Sequence, residues 1–264
     1  MKALLIDVTR CTGCERCVKA CTASHALGPR LAVRKQSEDG LSSRRFAALQ
    51  KTSEGRHVKK QCLHCLTPAC VDACPVGAIK KTPEGPVTYE PDKCMGCRYC
   101  MLACPIQIPR YEWDAKLPYM KKCDMCFDRI RDGGVPACVE ACPHEACIFG
   151  ERDEMLRVAK KRLADCKAPY LHHIYGEREL GGTSVLYLSD VPLATLGLPG
   201  TVGDRTLSSF TWPLISKTPW MALGVGALLT GTYFIIRRRM EHDVARPITP
   251  GAGVDESERK EGQS

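Results

Sequence analysis

Cys94-Met95-Gly96-Cys97-Arg98-Tyr99-Cys100-Met101-Leu102-Ala103-Cys104-Pro105 is the stretch that decides the fold. Its C-x2-C-x2-C-x3-C-P spacing is that of bacterial [4Fe–4S] proteins. Three closely spaced thiolates wrap one corner of a cubane. The fourth, expected at the start of a helical turn, points to a neighbouring cluster, and the proline after it fixes φ and turns the chain away. Gly96 is expected to let the backbone approach inorganic sulfur closely, as is Gly13 in an equivalent loop upstream.

The pattern recurs outward from this run. Sixteen of the 18 cysteines fall into four groups of four. The first is Cys11, Cys14, Cys17 and Cys21; the second is Cys62, Cys65, Cys70 and Cys74, followed by Pro75. The run quoted above is the third, and Cys123, Cys126, Cys138 and Cys142, followed by Pro143, make the fourth. An alanine precedes the last cysteine of every group (Ala20, Ala73, Ala103, Ala141), which marks an internal repeat. Zinc ribbons pair two C-x2-C knuckles about 15–20 residues apart and need no third cysteine close by. The groups are too regular for a disulfide framework, and the C-x3-C-x2-C triplet of radical enzymes is missing.

If the fourth cysteine of each group is exchanged within a pair of groups, two pairings are open: one with four and two with three, or one with two and three with four. Only nineteen residues separate the second group from the third, which suits the former. It gives set A (Cys11, Cys14, Cys17, Cys142), set B (Cys123, Cys126, Cys138, Cys21), set C (Cys62, Cys65, Cys70, Cys104) and set D (Cys94, Cys97, Cys100, Cys74). Every ligand position is cysteine, so four [4Fe–4S] clusters are expected, with iron as the metal. The expected fold is α+β: two interleaved bacterial two-cluster ferredoxin-like units over residues 1–150, a helix and packing extension over 151–211, and one C-terminal transmembrane helix.

With 38 Lys+Arg against 30 Asp+Glu the formal charge is +8, which on its own suggests nucleic acid. Four cubanes, each near −2 with its thiolates, bring about −8 and remove that support. Residues 218–236 carry no charge and would extend about 28 Å as a helix, close to the ~30 Å hydrocarbon core. Trp212 and Trp220 stand at one end and Tyr233 and Phe234 at the other, as interfacial belts do. Arg237-Arg238-Arg239 follows, against Lys217 alone on the other flank, so the positive-inside rule puts the tail in the cytoplasm and the cluster domain in the periplasm. The transmembrane segment with its flanks is assigned to 212–239, and the polar tail 240–264 is expected to be disordered. The N-terminal apolar run Ala3-Leu4-Leu5-Ile6 is too short for a secretory h-region, and no twin-arginine pair precedes Cys11. Export in the folded state with a partner that carries the twin-arginine signal reconciles these readings.

Residues 44–60 read as a hairpin, 82–86 as a turn before Val87-Thr88-Tyr89, 151–167 as a helix with Leu156, Ala159, Leu163 and Cys166 as its apolar stripe, and 183–188 as a strand. Cys147 and Cys166, outside the groups, are expected to be buried thiols. His64 is expected to be hydrogen-bonded near a cluster rather than a ligand. Arg98 and Tyr99 are candidates for tuning the adjacent cluster, and His172-His173 has no third ligand nearby in sequence. Ala222/Gly226 and Ala227/Gly231 are small-x3-small pairs, suited to docking against a membrane subunit.

Several stretches resemble the iron–sulfur β subunits of respiratory formate dehydrogenase N and the iron–sulfur subunit of the hydrogenase-2 type. They are Leu5-Ile6-Asp7-Val8, Lys59-Lys60-Gln61-Cys62-Leu63-His64-Cys65, Cys97-Arg98-Tyr99-Cys100, Ile148-Phe149-Gly150, Tyr175-Gly176-Glu177 and Gly181-Gly182-Thr183. The resemblance covers about residues 1–240. It implies a non-catalytic electron-transfer subunit linking a molybdenum/tungsten-pterin formate dehydrogenase or a NiFe hydrogenase to a membrane cytochrome b or quinone-binding subunit, and it implies the pairing into sets A–D. The missing twin-arginine signal favours formate dehydrogenase. Two other classes are a cytoplasm-facing electron-input subunit of a sulfoxide or polysulfide reductase and a membrane-tethered polyferredoxin.

Overall fold

The computed structural model describes residues 1–27, 39–113, 115–116, 118–165, 170–192, 198, 203–206 and 208–244. The chain divides into two compact units, Met1–Phe210 and Thr211–Ser264. In chain order the strands are β1 (Lys2–Asp7), β2 (Ala48–Lys51), β3 (His57–Lys60), β4 (Ile79–Lys81), β5 (Val87–Tyr89), β6 (Arg110–Tyr111), β7 (Met120–Lys121), β8 (Cys147–Glu151) and β9 (Val185–Leu188). The helices are α1 (Arg16–Ser24), α2 (Ala69–Asp72), α3 (Tyr99–Ala103), α4 (Phe127–Arg131), α5 (Ala137–Glu140), α6 (Arg152–Ala164), α7 (Ser208–Ile215) and α8 (Thr218–Val244).

The short N-terminal apolar run becomes the central strand of a three-stranded sheet ordered β8-β1-β9. β1 pairs antiparallel with β8 (Leu5 opposite Ile148) and parallel with β9 (Leu5 opposite Leu186). A strand with neighbours on both edges and cover on both faces is apolar over its middle, here residues 3–6, and the period of two divides those side chains between the faces. Leu4, Ile6 and Val8 join the core that surrounds many of the thiols, with Val185, Tyr187, Cys138 and Cys147. Ala3 and Leu5 pack with Leu186, Leu188, Met155 and Ala159. That second face is covered by α6. Its first turn carries Asp153 and Glu154 and its last turn Lys161 and Arg162, matching the helix dipole at both ends.

α6 ends at Ala164, short of the 167 expected, and buries Met155 and Ala159 most deeply, with Leu156 and Leu163 partly buried. Met155 is the stripe residue that the sequence reading overlooked. Cys166 lies outside the described residues. The expected hairpin is β2-β3, with Gln50 opposite Val58, closed by Gly55 N–H to the Thr52 carbonyl at 3.0 Å. β4 and β5 flank the 82–86 turn, where Thr82 N–H donates to the Pro86 carbonyl at 2.9 Å. After the Gly181-Gly182 turn the chain runs along the second cysteine group: Leu66 N–H donates to the Gly182 carbonyl (2.9 Å) and Val185 N–H to the Leu63 carbonyl (3.1 Å).

α8 contains the whole apolar segment 218–236. Residues 208–241 form the one helical stretch, among the described residues, that is long and apolar enough to cross a membrane. None of it is buried, which separates it from a soluble core helix. Trp220, Leu223, Leu228 and Phe234 are each at least 60% exposed. Its mid-helix threonine hydroxyls are satisfied internally: Thr230 Oγ1 donates to the Gly226 carbonyl at 2.8 Å and Thr232 Oγ1 to the Leu228 carbonyl at 3.0 Å. A helix in hydrocarbon requires that. The tail beyond 244 lies outside the described residues.

Candidate metal centres

The first and third cysteine groups fold as copies of one loop. Gly13 and Gly96 both have φ +75°, and Glu15 and Arg98 sit in the left-handed region at φ 58° and 65°. Alternating left-handed residues curl the backbone so that closely spaced side chains and amides converge on one point. A helix then starts at once, α1 at Arg16 and α3 at Tyr99. The fourth cysteine thus falls inside or after a helix, not at its start: Cys21 is within α1 and Cys104 caps the end of α3. The reason is the x3 spacing. Third and fourth cysteines four residues apart lie on one helix face, about 6 Å along the axis.

The glycines have different neighbours. A Cβ on Gly13 would stand 2.7 Å from the His57 ring, whereas one on Gly96 meets nothing within 4 Å. Gly13 therefore admits a side chain from β3, and Gly96 is demanded by its backbone angle alone.

Two helix contacts bring the groups together: α1 packs on α5, and α2 on α3. Cys11 is within electrostatic reach of Cys14 and Cys142, and Cys17 of Cys11 and Cys142. Cys123 is within reach of Cys21 and Cys138, and Cys126 of Cys138. Cys65 and Cys70 both face Cys62 and Cys104. Cys100 faces Cys94, Cys97 and Cys74, and these four thiols line one pocket with Val76, Ile79, Tyr89, Tyr111 and Met120. The thiols thus gather group one with group four, and group two with group three.

The gatherings stand in a row. Cys17 interacts with Cys138, and Cys123 with Cys62, a contact housed in a small core with Cys21, Phe46 and Ala47. Cys70 packs in the same core as Cys100. Cys21, Cys123, Cys126 and Cys138 are all buried, while Cys14 at one end of the row is exposed.

The sixteen grouped donors are all sulfur; at set B, His25 and Asp124, paired with each other at 2.8 Å, also lie within ligand distance of Cys126. Burial pushes the Cys17 thiol up to about 11 and, with the charges of Cys62 and Cys104 adding to it, Cys65 up to about 12. Four crowded thiols in apolar surroundings become thiolates together only around cationic metal, and all-sulfur sites select iron–sulfur clusters or zinc. The cysteine spacing separates the two: groups one and three put a third cysteine right beside a C-x2-C pair, as iron–sulfur proteins do and zinc knuckles do not need. Backbone N–H groups point at the sulfurs: Ala78 to Cys74 Sγ (3.3 Å), Ile108 to Cys104 Sγ (3.4 Å) and Met125 to Cys123 Sγ (3.3 Å). The residues fit [4Fe–4S] clusters.

His64 is fully buried, and its Nδ1 accepts from Val87 N–H at 2.8 Å, so the ring is a hydrogen-bonded neighbour of the thiols. Burial holds it well below the ordinary imidazole range, so it is neutral. Cys147 is buried, as expected, and lies in the same core as Cys138. Arg98 lies over the Trp113 ring at 4.5 Å, and Tyr99 is exposed. His173 pairs with Glu179 at 2.5 Å.

Three lysines and two tyrosines beside the thiols escaped the sequence reading. Lys59 is 3% exposed, and its Nζ has no oxygen or nitrogen acceptor among the described residues. Burial pulls its pKa down, yet the facing sulfurs of Cys138, Cys147 and Cys17 hold it well above the usual lysine range. Lys81 Nζ donates to the His64 carbonyl (2.8 Å) and Ser184 Oγ (3.0 Å), and burial lowers it to about 8. Lys122 Nζ donates to the Cys123 carbonyl at 3.0 Å. Tyr111 Oη lies 3.7 Å from Cys100 Sγ, and Tyr89 lines the same pocket as Cys94. The available signal was proximity in sequence: Lys59 precedes Cys62 by three residues and Lys122 adjoins Cys123.

Two stretches match 4Fe-4S dicluster domain families, residues 10–79 and 53–152. The hydrogenase-2 operon protein HybA of Escherichia coli O157:H7 is 36% identical over 281 residues, 91% of this chain and 85% of that protein. The nitrate-inducible formate dehydrogenase iron-sulfur subunit of Escherichia coli K12 is 36% identical over 248 residues, 88% of this chain and 83% of that protein. The formate dehydrogenase iron-sulfur subunit of Haemophilus influenzae is 33% identical over 271 residues, covering 96% and 82%. With two dicluster matches and relatives this similar over most of both chains, the protein belongs to the [4Fe–4S] iron–sulfur subunit family that includes HybA and the formate dehydrogenase iron–sulfur subunits.

Proposed function

We propose that this chain is the electron-transfer subunit of a membrane-bound respiratory oxidoreductase and holds four [4Fe–4S] clusters. Set A is Cys11, Cys14, Cys17 and Cys142; set B is Cys21, Cys123, Cys126 and Cys138; set C is Cys62, Cys65, Cys70 and Cys104; set D is Cys74, Cys94, Cys97 and Cys100. The observation that carries the proposal is the unbroken row of thiols, from Cys17 and Cys138 through Cys123 and Cys62 to Cys70 and Cys100. When bound, such clusters supply one-electron carriers. The chain's own residues hold them in sequence, exclude water from the middle of the row and donate N–H groups to their ligands. Catalysis is assigned to a partner, as the relatives' names as iron–sulfur subunits support.

That partner oxidises formate at a molybdenum/tungsten-pterin or hydrogen at a NiFe centre, and the acceptor is a membrane cytochrome b or quinone-binding subunit. The names of the relatives support both donors equally. α8 crosses the inner membrane with Arg237, Arg238 and Arg239 on the cytoplasmic side, which puts residues 1–210 in the periplasm, exported with a twin-arginine partner. Purification in mild detergent followed by metal analysis of the co-purifying large subunit separates the donors: molybdenum or tungsten means formate, nickel means hydrogen. Protease added to intact spheroplasts should digest the cluster domain and spare the tail. The reverse pattern would instead favour an electron-input subunit of a cytoplasm-facing reductase.

A further inference from the structure

The insertion between the first two cysteine groups ends in β3, whose period of two puts His57 and Lys59 on one side of the strand. His57 fills the space left by Gly13 in the first cysteine loop, with its ring 2.7 Å from where a Cβ would be. Two residues on, Lys59 carries its side chain into the buried region where the thiols of Cys17 and Cys138 meet. The backbone there is held on both sides: Leu49 of β2 pairs with Lys59, and the buried Tyr187 hydroxyl donates to the Lys59 carbonyl at 2.8 Å. The side chain is buried and its Nζ has no hydrogen-bond partner among the described residues, while the sulfurs of Cys138, Cys147 and Cys17 are the opposite charges within electrostatic reach.

A buried ammonium without a carboxylate is stable only against other negative charge. Cys17 belongs to set A and Cys138 to set B, so the anionic groups on both sides supply it. We propose that Lys59 is a fixed cation shared by sets A and B, a positioning residue that raises the reduction potential of both clusters. The inference rests on the cluster assignment above. Adding an electron makes each cluster more negative, and a nearby positive charge favours that state, as do hydrogen bonds to ligand sulfur. Lys60, the next residue, makes the contrast: it is paired to Asp39 at 3.3 Å and serves as the control.

The test is a potentiometric EPR titration of the purified complex as wild type, Lys59→Met, Lys59→Gln, Lys59→Arg and Lys60→Met, each with iron and sulfide analysis. In the neutral Lys59 variants two of the four midpoints should move to lower potential. At a fixed potential the reduced-to-oxidised ratio of those two clusters should fall about tenfold, about 59 mV for a one-electron couple. Lys59→Arg and Lys60→Met should keep all four wild-type midpoints. If the neutral variants instead fail to load, loss of about half the iron with rescue by Lys59→Arg also supports the shared cation. Fully loaded Lys59→Met with four wild-type midpoints overturns it, as does an Arg variant that fails in the same way as Met. A wild-type complex with iron for fewer than four clusters would undermine the cluster assignment, a failure the analysis distinguishes from failure of the Lys59 proposal.

Discussion

Asp7 and Arg162 are 155 residues apart in sequence and form an ion pair of 2.8 Å. Asp7 closes β1 and is completely buried; Arg162 lies in the last turn of α6. The Tyr170 hydroxyl donates to the same carboxylate oxygen at 2.8 Å, and Thr9 donates its hydroxyl (2.6 Å) and its N–H (3.1 Å) to the other. The pair fastens the strand that leads into the first cysteine loop to the helix that follows the fourth group.

Arg162→Met should therefore destabilise the cluster unit markedly. It leaves a buried carboxylate with hydrogen bonds but no counter-charge, at a cost of about 3 kcal/mol, or about 10 °C in the thermal midpoint. Asp7→Asn combined with Arg162→Met should recover much of that loss, because the buried charge leaves with its partner. Melting curves of the loaded protein measure both effects. An Arg162→Met midpoint equal to wild type would contradict the assigned role.

The two equivalent glycines should respond unequally to alanine. Both sites require a left-handed backbone, worth roughly 1–2 kcal/mol against alanine. Gly13→Ala must in addition displace the His57 ring, and Gly96→Ala displaces nothing. Gly13→Ala should melt lower than Gly96→Ala, and His57→Ala in the Gly13→Ala background should narrow the gap. Equal melting of the two single variants would show that the ring yields freely.

Paired cysteine variants test the crossed ligand sets. Cys142→Ala and Cys14→Ala each remove one ligand of set A and should lower iron from about sixteen to about twelve per chain, or leave a three-iron signal. The double variant should lose no further cluster, because both changes strike the same site. Cys142→Ala with Cys97→Ala should lose two clusters and leave about eight irons. Contiguous pairing of group three with group four would instead make Cys142 and Cys97 share one cluster.

The sixteen thiols, the hairpin at 44–60 and the apolar helix were legible in the sequence because each follows a short-range rule of spacing or periodicity. The choice between pairings was not, because it depends on α1 meeting α5 across more than a hundred residues. The role of residues 3–6 was also hidden. Four apolar residues are too few to show a period, and only the partners β8 and β9 make them a central strand. Lys59 looked like one more cation in a basic hairpin; its burial comes from Tyr187 and the thiol row, neither of them local.

Leu229 stands near the middle of the apolar segment of α8 and is 61% exposed. Leu229→Arg should weaken membrane insertion by about 3 kcal/mol. Wild type should stay in the membrane fraction after alkaline carbonate, and the variant should appear partly in the supernatant. Release of wild type would show that α8 does not span the bilayer.

Iron and acid-labile sulfide per chain in the anaerobically purified complex, corrected for metals of the partner subunits, test the account most directly. Four [4Fe–4S] clusters predict about sixteen of each, with four reducible centres in the EPR titration. Iron and sulfide for fewer than four clusters, or zinc in place of iron, would contradict it.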